Sequence, residues 1–246
     1  MTGRIEKNVF NIRKIFLIIL SGLFSLALYS QKPETIILTD IPQKNVRKYI
    51  KSRSINQMED FSNIRPSWKK ETSESDFYVI EREFYLKFKL SDVWNFYRDA
   101  STFEMWNGRF IKFGLLISKP ANSVIYSGNT SFPAIDTGQV YFLDVKLLKG
   151  LLNVPLAFEI TRIDPVQKIV ELSYIEHNTS RGKQTLQFFD RGDGRTRIVH
   201  LSYFRSESSV RDAYLYPYFH EKFIMQFHRN MRRLFKRSRS NGFSVS

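Results

Sequence analysis

The chain has 246 residues, 42% of them hydrophobic and 25% charged, so it can bury a core and is not wholesale disordered. It is basic, with a formal net charge of +14, and rich in aromatics, with 22 Phe, 12 Tyr and 3 Trp. It has no cysteine, which excludes disulfides, thiolate metal sites, iron–sulfur clusters, cysteine nucleophiles and cysteine lipidation.

Residues 1–14 carry Arg4, Lys7, Arg13 and Lys14 against the single acid Glu6, and an apolar run from Ile15 to Tyr29 follows. A basic start, a short apolar run and small Ser30 predict a signal peptide over 1–30. The run is short for a bilayer span of roughly 20 residues. Leu28, two residues before Ser30, is large for a position where a small residue is preferred, so an uncleaved membrane anchor stands as the alternative. Export predicts a periplasmic or secreted protein and argues against a nucleic-acid partner, although the remaining chain stays strongly basic.

Residues 31–76 read as a lead-in. Asp40 is placed to cap a short helix with Pro42 in its first turn and Val46, Tyr49 and Ile50 on one face. The polar stretch 62–76 reads as a linker, with Trp68 available to dock. From Phe77 the period becomes two. Tyr78, Ile80, Phe84, Leu86 and Phe88 alternate with Val79, Glu81, Glu83, Tyr85 and Lys87, a half-buried strand whose apolar face Arg82 interrupts. Ser91 is expected to cap an amphipathic helix bearing Val93, Trp94, Phe96 and Tyr97, ending before Asn107-Gly108.

Strands are predicted at 109–118, 139–148, 154–163, 168–178, 181–190 and 195–205, with a loop over 119–138 that holds a short strand at 124–127. The connector RGDGR reads as a hairpin turn, and short links imply antiparallel order. A helix is predicted from Pro217 to about Arg237. At 100° per residue, Tyr216, His220, Phe223, Ile224, Phe227, Met231, Leu234 and Phe235 fall on one stripe. Residues 238–246 read as a flexible tail.

The strand–helix opening FYLKFKLSDVWNFYRDASTFEMWNG, the series FEITRIDPVQKIVELSYIE, the hairpin LQFFDRGDGRTRIVHLSYF and the closing helix together resemble the START-like (SRPBCC) superfamily. That superfamily includes polyketide cyclases, lipid-transfer START domains and plant pathogenesis-related class 10 proteins. The resemblance covers residues 77–237; the lead-in 31–76 and the loop 119–138 depart from it. It implies an α+β helix-grip fold, a curved antiparallel sheet of about seven strands around a long C-terminal helix. It also implies a hydrophobic cavity between helix and sheet, without implying one activity.

His220 is the most pointed candidate, because a polar ring occupies the middle of the apolar stripe. It would meet a ligand oxygen, serve as an acid–base group, or be a core histidine satisfied by a backbone group or a Tyr hydroxyl. His228 lies at the stripe's edge, and His200 shares a strand face with Ile198, Ser202 and Phe204. No two histidines are spaced i, i+4, so no metal is expected. Arg82 requires an anionic or carbonyl partner, for instance a ligand head group or a carboxylate such as Glu159 or Glu176. The expected ligand-binding set is Arg82, Tyr174, His200, Tyr216, His220, Phe223, Phe227 and Met231. Arg211, Asp212, Tyr214 and Tyr218 would form a polar wall or a docking segment beside it.

No P-loop, dinucleotide fingerprint, nucleophile elbow or HExxH occurs, so no cofactor is expected. The leading expectation is an exported domain binding a small hydrophobic ligand, for instance a lipid. One alternative is a cyclase- or hydrolase-type enzyme using a pocket histidine. The other is an interaction protein whose basic helix face, Arg229 to Arg239, binds an acidic partner; that face would also suit contact with an anionic membrane surface.

Overall fold

A computed structural model describes residues 34–147, 152–206, 208 and 216–240. The expected signal peptide, Arg211, Asp212, Tyr214 and the last residues of the tail lie outside the described residues.

Eight strands form one antiparallel sheet: β1 (Tyr78–Leu86), β2 (Ile111–Ser118), β3 (Ser123–Tyr126), β4 (Gln139–Leu147), β5 (Leu152–Asp164), β6 (Ile169–Tyr174), β7 (Ser180–Asp190) and β8 (Thr196–Ser206). Their order is β1-β8-β7-β6-β5-β4-β2-β3. Register shifts at Phe113/Leu115 and at Ile160/Arg162 mark bulges, which bend a sheet locally. The β7–β8 hairpin turns through Gly192 and Gly194, both at positive φ, as the RGDGR spacing requires.

The helices are α1 (Lys44–Ser52), α2 (Leu90–Asp99), α3 (Thr102–Met105) and α4 (Tyr216–Ser240). Four boundaries differ from the sequence reading. Asp40 sits in a 3-10 turn, and Gln43 precedes α1 instead. Ser91 lies inside α2, while Lys89 takes the cap position without a side-chain bond. The single helix expected up to Asn107 is split, because Ser101 accepts from the Glu104 backbone N–H and starts α3. Residues 238–240, read as tail, complete α4.

One face of the sheet packs on α2, α3 and α4. Trp106 stacks on Phe227 at 4.4 Å and meets Phe158 edge-on at 5.0 Å, and Phe235 packs on Phe88 and Phe96. Burying rings of this size contributes about 2–3 kcal/mol each. Every member of the predicted α4 stripe is buried or half-buried, which gives the helix-grip arrangement of sheet and closing helix. Asn230, also buried, donates to the carbonyls of Met105 and Asn107 and ties α4 to the end of α3.

The other face is covered too. Ile41, Val46, Ile50, Ile55, Phe61 and Ile64 of the lead-in form a second core with Leu115, Ile117, Val140, Phe142, Ala157 and Ile175. This explains why β2 is buried on both faces instead of alternating. The segment read as a linker is fastened at several points. The Ser67 N–H donates to the Tyr174 carbonyl at 2.6 Å, Trp68 packs on Phe77 and Tyr203, and Lys119 Nζ reaches both the Ile64 carbonyl and Glu159.

Candidate functional site

The stripe of α4 meets β8, β7 and β6 through polar side chains. His200 projects inward from β8 between Ile198 and Ser202, and Gln184 projects inward from β7. Gln184 is opposite Ser202 in the register, and Leu186 is opposite His200, so the amide reaches the imidazole diagonally. His200 Nε2 lies 2.9 Å from Gln184 Oε1, and His200 Nδ1 lies 3.0 Å from His228 Nε2. His228 Nδ1 lies 3.1 Å from the Tyr97 hydroxyl, and Phe84 stacks on the His228 ring at 3.6 Å. From Gln184 the chain continues: its Nε2 donates to the Tyr174 hydroxyl at 3.1 Å, and that hydroxyl meets the Tyr216 hydroxyl. A hydrogen-bonded row thus runs Tyr97–His228–His200–Gln184–Tyr174–Tyr216 through the interior.

His220 stands beside this row. Its Nε2 lies 2.8 Å from the Ser202 hydroxyl, and its ring stacks near Tyr216 at 5.0 Å. Its partner is therefore a serine hydroxyl rather than a backbone group or tyrosine. Burial in low dielectric holds all three imidazoles neutral. It brings His200 down to about 3; for His220, burial and then the His200 and Arg82 charges bring it down to about 3. His228 is also well below its ordinary value, through burial first. The same burial pushes the Tyr97 hydroxyl up. No cluster of metal-ligating side chains occurs among the described residues.

Of the expected ligand set, His200, His220, Tyr174 and Tyr216 come together in or beside the row. Phe227 borders a central void of about 20 Å³, walled also by Trp106, Tyr141, Leu172 and Phe188. That space holds roughly one water. Met231 is fully buried in the same core. Arg82 is half exposed at the rim, and its Nε lies 3.4 Å from Glu221 of α4. Neither carboxylate suggested for it is its partner, since Glu159 binds Lys119 and Glu176 binds Lys69.

Phe223 opens onto a larger space. A groove of about 360 Å³ lies between the start of α4 and the adjoining ends of β2 and β4. Its wall is Phe110, Val145, Leu147, Phe219 and Phe223, with Arg109, Lys146, Tyr218 and Lys222 around it. It continues along α4 past Met225, Gln226 and Arg229 as a second space of about 340 Å³. Gln226 Oε1 accepts from the Phe110 N–H at 2.8 Å and fixes the helix to the start of β2. Lys222 Nζ sits 4.5 Å from the Tyr218 ring and 5.7 Å from the Phe110 ring, and Arg109 Cζ 5.5 Å from the latter. Sequence reasoning missed Phe110, Arg109 and Lys222, which lie on a turn and on the flank of the helix. It also missed Gln184, whose signal was available: a polar residue at an inward position between Gly182 and Leu186.

The likenesses to solved structures are partial and of low identity. The chain is similar to norcoclaurine synthase of Thalictrum flavum, at 14% identity and a TM-score of 0.48, over 66% of this chain and 96% of that one. It is similar to the Zhui aromatase/cyclase of a Streptomyces species, at 11% identity and a TM-score of 0.49, over 66% and 95%. It is also similar to a protein of Thermus thermophilus, at 10% identity and a TM-score of 0.48, over 65% and 99%. No protein-family model and no curated protein matches the chain.

Proposed function

We propose that the protein binds a small hydrophobic ligand in the groove between the start of α4 and the ends of β2 and β4. The observation that carries this reading is the contrast between two spaces in one fold: about 20 Å³ at the centre of the grip and about 360 Å³ at its mouth. Binding sites for small molecules are concave and mostly apolar, with a few polar groups at the edge, and the mouth has that character. Native mass spectrometry of the gently purified protein tests the reading. An adduct removable by organic solvent, and lost in Phe219→Asp, is expected. A bare protein that also takes up no added apolar compound overturns it.

An enzymatic role for the histidines has less support, since His200 and His228 are each held on both ring nitrogens by neighbours. Contact with an anionic membrane surface is supported by the outer side of α4, where Arg229, Arg233 and Lys236 are exposed and form no ion pair among the described residues. Sedimentation with phosphatidylglycerol vesicles, abolished by salt, is the expected behaviour; salt-insensitive sedimentation contradicts it.

Export through residues 1–30 is the companion proposal, resting on their basic and apolar pattern. Amino-terminal sequencing of the protein recovered from cells is expected to begin at Gln31. A chain that retains Met1 in the cytoplasm contradicts export.

A further inference from the structure

Four cations border the mouth groove and its continuation: Arg109, Lys146, Lys222 and Arg229. None of them forms an ion pair among the described residues. Among the described residues one carboxylate, Glu221, lines the space, and Arg82 already faces it at 3.4 Å. The ring faces of Phe110 and Tyr218 attract Lys222 but do not neutralise it. Cations set against apolar walls are less screened than cations in open water, so a matching anion gains more there.

We infer that the groove takes an anionic amphiphile, one molecule with a carboxylate or phosphate head and an apolar body. The head lies among Lys222, Arg109 and Lys146, and the body lies against Phe110, Phe219 and Phe223. This deepens the ligand reading given above and rests on it. It adds the charge of the ligand, which the apolar wall alone leaves open.

The test uses the full chain and three probes: decyl phosphate and decanol below their aggregation limits, and inorganic phosphate. Titration is followed by calorimetry. Decyl phosphate is expected to bind at least tenfold more tightly than decanol, with inorganic phosphate failing to compete at a hundredfold excess. The pair Lys222→Gln and Arg109→Gln is expected to weaken decyl phosphate at least tenfold and to leave decanol within twofold. Should that double variant fold poorly, salt gives the same answer on the unaltered chain. Raising sodium chloride from 50 to 500 mM weakens decyl phosphate severalfold and does not weaken decanol. Equal binding of the two alkyl probes overturns the anionic head while the groove reading survives. Binding of neither overturns both. Competition by inorganic phosphate reduces the site to an anion site and overturns the amphiphile. Capture of phosphatidylglycerol vesicles with no uptake of free decyl phosphate overturns it as well.

Discussion

His200 Nδ1 and His228 Nε2 face each other at 3.0 Å inside the protein, so one of these nitrogens carries a proton and the other does not. Both rings are neutral, and this fixes the rest of the row. If Gln184 presents its oxygen to His200 Nε2, that nitrogen donates, His200 Nδ1 accepts, His228 Nε2 donates and Tyr97 donates to His228 Nδ1. Exchanging the Gln184 oxygen and nitrogen reverses every donor from Gln184 to Tyr97. Either polarity closes the row, and a mixed one leaves a buried pair of donors or acceptors.

The tautomers follow. With the amide placed as described, His200 and His228 both carry their proton on Nε2. Ring-nitrogen NMR at neutral pH is expected to report two Nε2-protonated imidazoles. Both protons on Nδ1 mean the reversed row; one of each contradicts the continuous row.

Acid sensitivity is the second consequence. A histidine in the unfolded chain titrates near 6.5, while burial holds His200 and His220 at about 3 and His228 well below its ordinary value. Between those limits the unfolded state binds more protons, so stability is full above about pH 6.5 and falls as pH drops towards 3. Each such histidine costs about 2 kcal/mol between pH 7 and pH 5. Urea midpoints at pH 7, 6 and 5 are expected to fall steadily, with a shallower slope in His220→Gln. A flat profile over that range contradicts three buried neutral rings.

The helix arithmetic placed His220 and its stripe correctly because burial of α4 follows its own period. Strand alternation placed His200 for the same reason. The row itself was not legible, because it joins His200 to Gln184 diagonally across a register that only pairing sets. The cover over the outer face was hidden differently. Ile41, Val46, Ile55, Phe61 and Ile64 come from one helix and several 3-10 turns, and no single period connects them. Phe110 and Lys222 meet at the groove from opposite ends of the domain sequence, so neither pattern announces the other.

The outer cover makes a stability prediction. Ile50 is fully buried against the sheet. Ile50→Ala is expected to cost about 2–5 kcal/mol, as truncations in packed cores do. Denaturant titration measures it, and a loss below about 1 kcal/mol would mean the cover is dispensable.

Lys119, whose Nζ donates to the Ile64 carbonyl of that cover, pairs with Glu159 of β5 at 2.6 Å, and both are mostly buried. Removing one partner strands the other charge, so Glu159→Ala is expected to cost roughly 3–5 kcal/mol. Lys119→Met with Glu159→Leu is expected to lose far less, because no charge remains to be desolvated. Equal losses in the two variants contradict this account of the pair.

Gly182 holds φ +135°, and a Cβ there would lie 1.9 Å from the Tyr203 carbonyl oxygen. Gly182→Ala combines a conformation L residues avoid with a backbone collision, and about 2–4 kcal/mol of destabilisation is expected. A thermal midpoint unchanged from the parent would show that β7 and β8 do not approach this closely in solution.

Where a ligand sits decides the central claim. Photolabelling with an alkyl diazirine, followed by peptide mapping, locates it directly. Labels on Phe110, Leu147, Phe219 or Phe223 are expected, at the mouth between α4 and the sheet. Labels confined to the neighbourhood of Trp106, Leu172 and Phe188 would put the ligand in the centre of the grip, and the account given for the mouth would be wrong.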